Sequence, residues 1–313
     1  MRRRRCLLPS ALAACALLLV LAVPASAASW KPGPERYGMT EQHDVGVKMK
    51  DGTILRANVF YPTNADGSVA KGPFPVIMVQ TPYGKDGAGA GSGGTLGDAS
   101  TEVGPLPYLI KRGYIDVAVD IRGTGDSQGT FSLLDPQIGR DGARLVNWAS
   151  KLLHSSGKVG TYGPSYMGLD QLMTAFHVGR HSPLKAMFPI VAGNDAYRDV
   201  AFQGGMPGME FDLIILVLFG GLNVGNPPIS DYQDVADLLK VEAQHLESLL
   251  TYNVYQALNI ETNGDEAYYG KYWRKRTQRT FLKTIVRNHI PAFMIGGWYD
   301  LFQRGAPLNY SGL

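Results

Sequence analysis

Residues 157–168, GKVGTYGPSYMG, constrain the fold more than any other stretch, because a short strand-like segment there runs into a turn of small residues with a serine at its tip. Gly163 and Gly168 flank Ser165 in a G-x-S-x-x-G pattern, a variant of the G-x-S-x-G nucleophile elbow with its last glycine one residue later. A sharp strand-to-helix turn strains the serine backbone, so small neighbours are needed to let it stand clear of a sheet. With 38 glycines in the chain the pattern also arises by chance. Its surroundings must decide.

Those surroundings have the rhythm of an α/β sheet. Residues 43–49 and 53–61 flank an Asp51-Gly52 turn and read as a hairpin. FPVIMVQ at 74–80 and YIDVAVDI at 114–121 are nearly continuous apolar runs, as expected of strands buried on both faces of a parallel sheet. Between them lie a glycine-rich segment, 84–98, and a short helix at 106–112. An amphipathic helix follows at 141–153, then a strand at 159–162, a helix at 166–178 and a strand at 186–191. Ser165 therefore sits between a strand and a helix, the context its motif requires. Residues 196–289 break the rhythm: an apolar run at 213–219 is too short to span a bilayer, and a helix at 231–250 carries a Ser230/Gln233 capping box. The sheet resumes at 292–295 and ends in Gly296-Gly297-Trp298-Tyr299-Asp300.

The first 27 residues stand apart. Arg2 to Arg5 precede an apolar stretch broken by Pro9 and Pro24, and Ala25-Ser26-Ala27 offers a small-x-small cleavage site, which predicts a secretory signal peptide cut after Ala27 and a secreted protein. Both cysteines, Cys6 and Cys15, fall inside it, so the mature chain would hold no disulfide; a lipoprotein box at Leu12 to Cys15 is the minor alternative. Removing the leader takes four arginines and no acid, leaving 26 basic against 27 acidic residues. The cluster Lys271, Arg274, Lys275, Arg276 and Arg279 then reads as a solvated helix face, and nucleic acid is not an expected partner. No phosphate loop, dinucleotide fingerprint or metal-ligand spacing occurs, so neither cofactor nor metal is expected, and no membrane span remains after leader cleavage. The oligomeric state is not legible.

A serine hydroxyl needs a base and usually a carboxylate to orient that base. Asp300, at the carboxyl end of the resumed strand, is favoured as that acid over a plain turn aspartate. The six histidines, His43, His154, His177, His181, His245 and His289, all precede it. Each is expected to be structural. His245, on the insertion helix, is the one that a folded-down cap could bring to Ser165, but the structural reading is favoured for it too, so no catalytic histidine is expected in this chain.

Four blocks in order, TPYGK around Tyr83, RGTGDSQGTF, GKVGTYGPSYMG and GGWYD, resemble the X-Pro dipeptidyl peptidase and cocaine esterase group of α/β-hydrolases, the CocE/NonD hydrolases. The resemblance runs from about Gln42 to the last residue. It implies a serine hydrolase of esters or amides, acting on a small-molecule or peptide substrate through an acyl-enzyme, with Ser165 as nucleophile and Asp300 as acid. It also implies an oxyanion hole of the Tyr83 hydroxyl and the Tyr166 N–H. Met167 stands where a glutamate would suggest recognition of a substrate ammonium group. The implied organisation is a leader (1–27), a core (28–195), a helical cap (196–289) and a resumed core (290–313). Family members continue with a last strand, a catalytic-histidine loop and a jelly-roll domain, so truncation and a catalytically inactive product form the alternative expectation.

Overall fold

The computed structural model describes residues 31–86, 105–208, 217–225 and 234–313. The leader, most of the 84–98 segment, residues 213–216 of the apolar run and the Ser230/Gln233 box lie outside the described residues. The chain divides into residues 1–34, of which 31–34 are described and hold no helix or strand, and residues 35–313. No helix among the described residues is long and apolar enough to cross a membrane.

Six strands form one sheet: β1 (Gly38–Lys48), β2 (Ile54–Thr63), β3 (Phe74–Thr81), β4 (Ile115–Asp120), β5 (Ser155–Pro164) and β6 (Leu184–Ile190). Their order is β1-β2-β4-β3-β5-β6. β1 pairs antiparallel with β2 and β2 with β4, and the remaining pairs are parallel. The predicted hairpin turn is present: Gly52 takes φ +92 and the Asp51 carboxylate accepts the Thr53 N–H at 3.1 Å. β1 starts five residues earlier than its apolar pattern, because its first residues pair with β2 while remaining largely exposed. Every residue of β4 is buried, which is why it reads as a continuous apolar run.

The helices are α1 (Pro107–Ile110), α2 (Pro136–Ala149), α3 (Tyr166–His177), α4 (Gly220–Gly225), α5 (Val235–Ser248), α6 (Tyr255–Glu261), α7 (Lys271–Arg276), α8 (Leu282–Asn288) and α9 (Gly305–Gly312). α2 opens on Pro136 behind Asp135, whose side chain accepts the Gln137 N–H at 2.7 Å. Its glycines let α3 come close: a Cβ on Gly139 would lie 2.6 Å from the Met173 carbonyl oxygen. α3 is buried over ten of its twelve residues, and Gln171 stitches it to the sheet by donating to the Gly163 carbonyl of β5 (3.3 Å) and accepting the Phe188 N–H of β6 (2.9 Å).

Two expectations need correction. The helix predicted at 231–250 begins, within the described residues, at Val235 behind an Asp234 cap that accepts the Ala236 N–H at 2.8 Å. The strand predicted at 292–295 is reduced to two parallel bridges beside β6, Met187 to Ala292 and Ile190 to Ile295. The Met187 N–H donates to the Pro291 carbonyl and the Ile295 N–H to the Pro189 carbonyl, but Pro189 of β6 has no N–H to donate in return, so the ladder is interrupted between the two bridges.

Candidate active site

β5 delivers the chain into the turn. Gly163 takes φ +142, where a Cβ would lie 2.5 Å from Met167 Cβ, and Ser165 itself takes φ +57, ψ −123. A non-glycine residue held at positive φ is strained, and such strain persists where the surroundings over-determine it. Here the Ser165 N–H donates to the Ile190 carbonyl at 3.0 Å, and the Ser165 carbonyl accepts N–H groups from Gly168 (2.9 Å) and Leu169 (3.1 Å). Gly168 explains the displaced third glycine, since a Cβ there would lie 2.8 Å from the Ile190 oxygen and 3.1 Å from Ala192 Cβ. The glycine is needed where the new helix crosses the end of β6.

Ser165 caps α3 in position only and makes no side-chain cap bond. Its Oγ instead accepts from the Tyr83 hydroxyl at 3.3 Å. Both line a cavity of about 170 Å³ whose other walls are mainly apolar, with Leu134, Leu169, Val191 and Phe219 among them. Phe219, from the apolar run of the insertion, stacks on Tyr83 with ring centroids 6.2 Å apart and meets Tyr166 edge-on at 5.5 Å. Tyr166 is buried, and its hydroxyl accepts the Leu134 N–H at 3.1 Å. Its own backbone N–H opens α3, one of the first-turn donors for which a helix has no internal acceptor.

Asp300 lines the same cavity, and its carboxylate also accepts the Phe302 N–H at 2.6 Å. The bridges beside β6 set it at the carboxyl end of the sheet, while Trp298 and Tyr299 just before it are fully solvent-facing. Ser165, Tyr83, Tyr166 and Asp300 thus converge on one cavity. The histidines do not join them, and none of the six lines it. His245, the one a cap might have brought down, is buried against the Ser127 carbonyl, 3.1 Å from Nε2. His43 bridges Asp44 and Asp86, and His177 ends α3 against the Phe176 ring.

Two features beside the cavity escape sequence reading. Two residues after Tyr83, the fully buried Lys85 ammonium lies 2.5 Å from carboxylate oxygens of Asp44, Asp86 and Asp126 and 3.8 Å from Asp120. The fold gathers carboxylates that no ligand spacing announced, and Lys85 is the cation they surround. Burial alone would lower the Lys85 amine, yet Asp120, Asp126 and Asp86 raise it. One ammonium does not neutralise four acids: burial pushes Asp120 up to about 8 and Asp126 to about 6. The second feature is Asp170 on α3. It is buried with neither carboxyl oxygen hydrogen-bonded among the described residues, and burial holds its pKa well above the usual carboxylate range.

The insertion is anchored on the RGTGDSQGTF block. From α5, Asp237 accepts Gln128 Nε2 (2.6 Å) and pairs with Arg56 (2.8 Å), Gln244 accepts the Gly129 N–H (2.7 Å), and Ser248 accepts the Phe131 N–H (2.8 Å). The basic cluster is not wholly a solvated face, for Arg276 is buried and pairs with Asp135.

A model of the X-Pro dipeptidyl-peptidase (S15) family matches residues 51–313. A cocaine esterase from Rhodococcus sp. (strain MB1 Bresler) is 29% identical over 202 residues, 64% of this chain and 32% of that protein. Among solved structures, a CocE/NonD family hydrolase from Staphylococcus aureus is 26% identical with a TM-score of 0.54, covering 76% of this chain and 38% of that one. An α-amino acid ester hydrolase, 20% identical with a TM-score of 0.61 over 93% of this chain and 48% of its own, shares the fold. The chain spans about a third of the length of the curated relatives it matches and less than half of these structures.

Proposed function

The chain belongs to the X-Pro dipeptidyl-peptidase (S15) family, an α/β-hydrolase of the CocE/NonD kind, and from that premise we propose that it cleaves esters or amides through a Ser165 acyl-enzyme. Ser165 Oγ attacks the substrate carbonyl, and its proton passes to a general base. The carbonyl oxygen, as it gains charge, takes hydrogen bonds from the Tyr83 hydroxyl and the Tyr166 N–H. Collapse of the tetrahedral intermediate expels the alcohol or amine, which takes up the proton from the base. Water, deprotonated by the same base, then releases the acid and restores the serine. Asp300 orients the base. The observation that carries this reading is Ser165 held at φ +57 with its hydroxyl 3.3 Å from Tyr83 and open to a cavity that Asp300 also lines. A cavity of about 170 Å³ walled mainly by apolar side chains favours a short apolar acyl group. X-Pro dipeptide release and ester cleavage both fit that site.

The base is the part no histidine of this chain supplies, which favours a second reading for the 313 residues taken alone: a folded hydrolase site in which Ser165 lacks its activator. A fluorophosphonate probe tests the assignment. Covalent labelling that disappears in Ser165→Ala supports the nucleophile, and prompt labelling without any additive would sink the second reading. We further propose that residues 1–27 direct export, for which mass spectrometry of the exported protein's amino terminus beginning at Ala28 is the check.

A further inference from the structure

The cations of residues 271–279 do not act as one group. Arg276 donates Nε–H to the Leu133 carbonyl (3.0 Å), lies 3.8 Å over the Tyr272 ring and pairs with Asp135, while Arg279 pairs with Asp195 at 3.1 Å. Arg274 and Lys275 remain. Both line a cleft of about 680 Å³ beside α2 and the end of α3, with Arg140 of α2 in the same lining. Arg140 donates Nε–H to Gln137 Oε1 at 2.7 Å, and none of the three pairs with a carboxylate among the described residues. The one acid in this lining, Asp135, is already engaged by Arg276 and the Gln137 N–H. Burial, and then Arg140, lower the His177 pKa, which disfavours a charged imidazole in this lining.

Apolar side chains complete the cleft. Met173, Phe176 and Phe281 line it, with the two phenylalanine rings 4.8 Å apart. A solvated basic helix face spreads its charges over a convex surface. Here cations from two elements far apart in sequence meet around one concavity, beside aromatic rings, while the one acid of the lining is taken by Arg276. The volume falls in the range of about 300–1,000 Å³ usual for small-molecule sites. The geometry points to a binding site for a small anionic amphiphile: a carboxylate or phosphate head held by Arg140, Arg274 and Lys275, with a short apolar tail on Met173, Phe176 and Phe281. The cleft lies at the His177 end of α3, a twelve-residue helix from Ser165, or roughly 18 Å at 1.5 Å per residue. It is a second site, and its occupancy does not depend on the serine chemistry.

Calorimetric titration of the folded chain with octyl phosphate, below the concentration at which it forms micelles, tests this. Octyl phosphate is expected to bind at least tenfold tighter than inorganic phosphate or octyl glucoside. The double variant Arg274→Ala/Lys275→Ala, and separately Arg140→Ala, should weaken it tenfold or more while leaving the unfolding midpoint in place, since all three side chains are exposed. Equal affinity in the variants, or octyl phosphate binding no tighter than inorganic phosphate, overturns the proposal in favour of a plain basic surface. Binding confined to vesicles of anionic phosphatidylglycerol, with none to monomeric octyl phosphate, overturns it in favour of a membrane surface.

Discussion

Gly168 shows how one missing methyl group decides the geometry of the turn. Glycine within a helix usually costs about 1 kcal/mol relative to alanine, so replacing it ordinarily stabilises. At Gly168 the added Cβ would meet the Ile190 carbonyl oxygen at 2.8 Å, a backbone atom that can move only by shifting β6. Overpacking of this kind costs about 1–3 kcal/mol and outweighs the helix gain. Gly168→Ala is therefore expected to lower the midpoint of denaturant unfolding and to slow fluorophosphonate labelling, because the Ser165 turn hangs from the same carbonyl. Gly221 in α4 gives the opposite sign: a Cβ there meets nothing within 4 Å among the described residues, so Gly221→Ala should leave stability unchanged or raise it. Equal effects of the two substitutions would remove the steric account of the displaced glycine.

At the scale of elements, β4 carries a charge problem as well as a pairing role. Asp116 sits opposite Phe60 of β2 and Ile77 of β3, and it is 1% exposed. One of its oxygens accepts the Leu106 N–H at 2.8 Å, which ties the entry of α1 to the strand, and the other has no partner among the described residues. Burial pushes its pKa up to about 7 from 3.8. Between those values the folded state binds more proton than the unfolded state, so this contribution to stability is complete below about pH 4 and is lost as pH rises through about 7. The slope approaches about 1.4 kcal/mol per pH unit, a total on the order of a few kcal/mol. Asp116→Asn keeps the acceptor for Leu106 and removes the titration. Unfolding curves from pH 4 to 8 should show the parent losing stability relative to the variant up to about pH 7, with a constant difference above it. Parallel pH profiles would contradict the assignment to Asp116. The same comparison of elements shows what the sequence makes legible. The strand–turn–helix around Ser165 and the hairpin at Asp51-Gly52 are local, so their residues announce them. The Lys85 cluster draws its acids from β1, the segment after β3, β4 and the loop beyond, and no short-range spacing encodes that meeting. The 292–295 segment misleads because its apolar run suggests a strand while its ladder depends on β6, where Pro189 has no N–H to donate and two bridges remain.

Across the whole molecule, the sheet and the insertion bring a serine, a hydroxyl donor, a free helix N–H and a carboxylate to one cavity, yet they send every histidine elsewhere. That Asp300 reaches this cavity was legible because it closely follows the segment beside β6. A structural His245 is expected from the sequence, but its partner was not legible, because that depends on where α5 docks on the 122–131 loop. If Ser165 is the proposed nucleophile, positioned but not deprotonated, it should respond to a base from solution. Imidazole is small enough for a cavity of about 170 Å³, and as a free base it can take the Ser165 proton that an attached histidine would take. The rate of fluorophosphonate labelling of the 313-residue chain is therefore expected to rise in proportion to added imidazole. The increase should follow the free-base fraction as pH is raised through about 7, and should vanish in Ser165→Ala. Tyr83→Phe should keep the imidazole dependence but lower the rate by about 10²–10³, as the loss of one oxyanion donor does, while the ring stacked on Phe219 preserves the fold. Labelling that is fast and indifferent to imidazole would mean that the chain carries its own base. Absence of labelling at every imidazole concentration, in a sample that unfolds cooperatively, would mean that Ser165 is not the nucleophile.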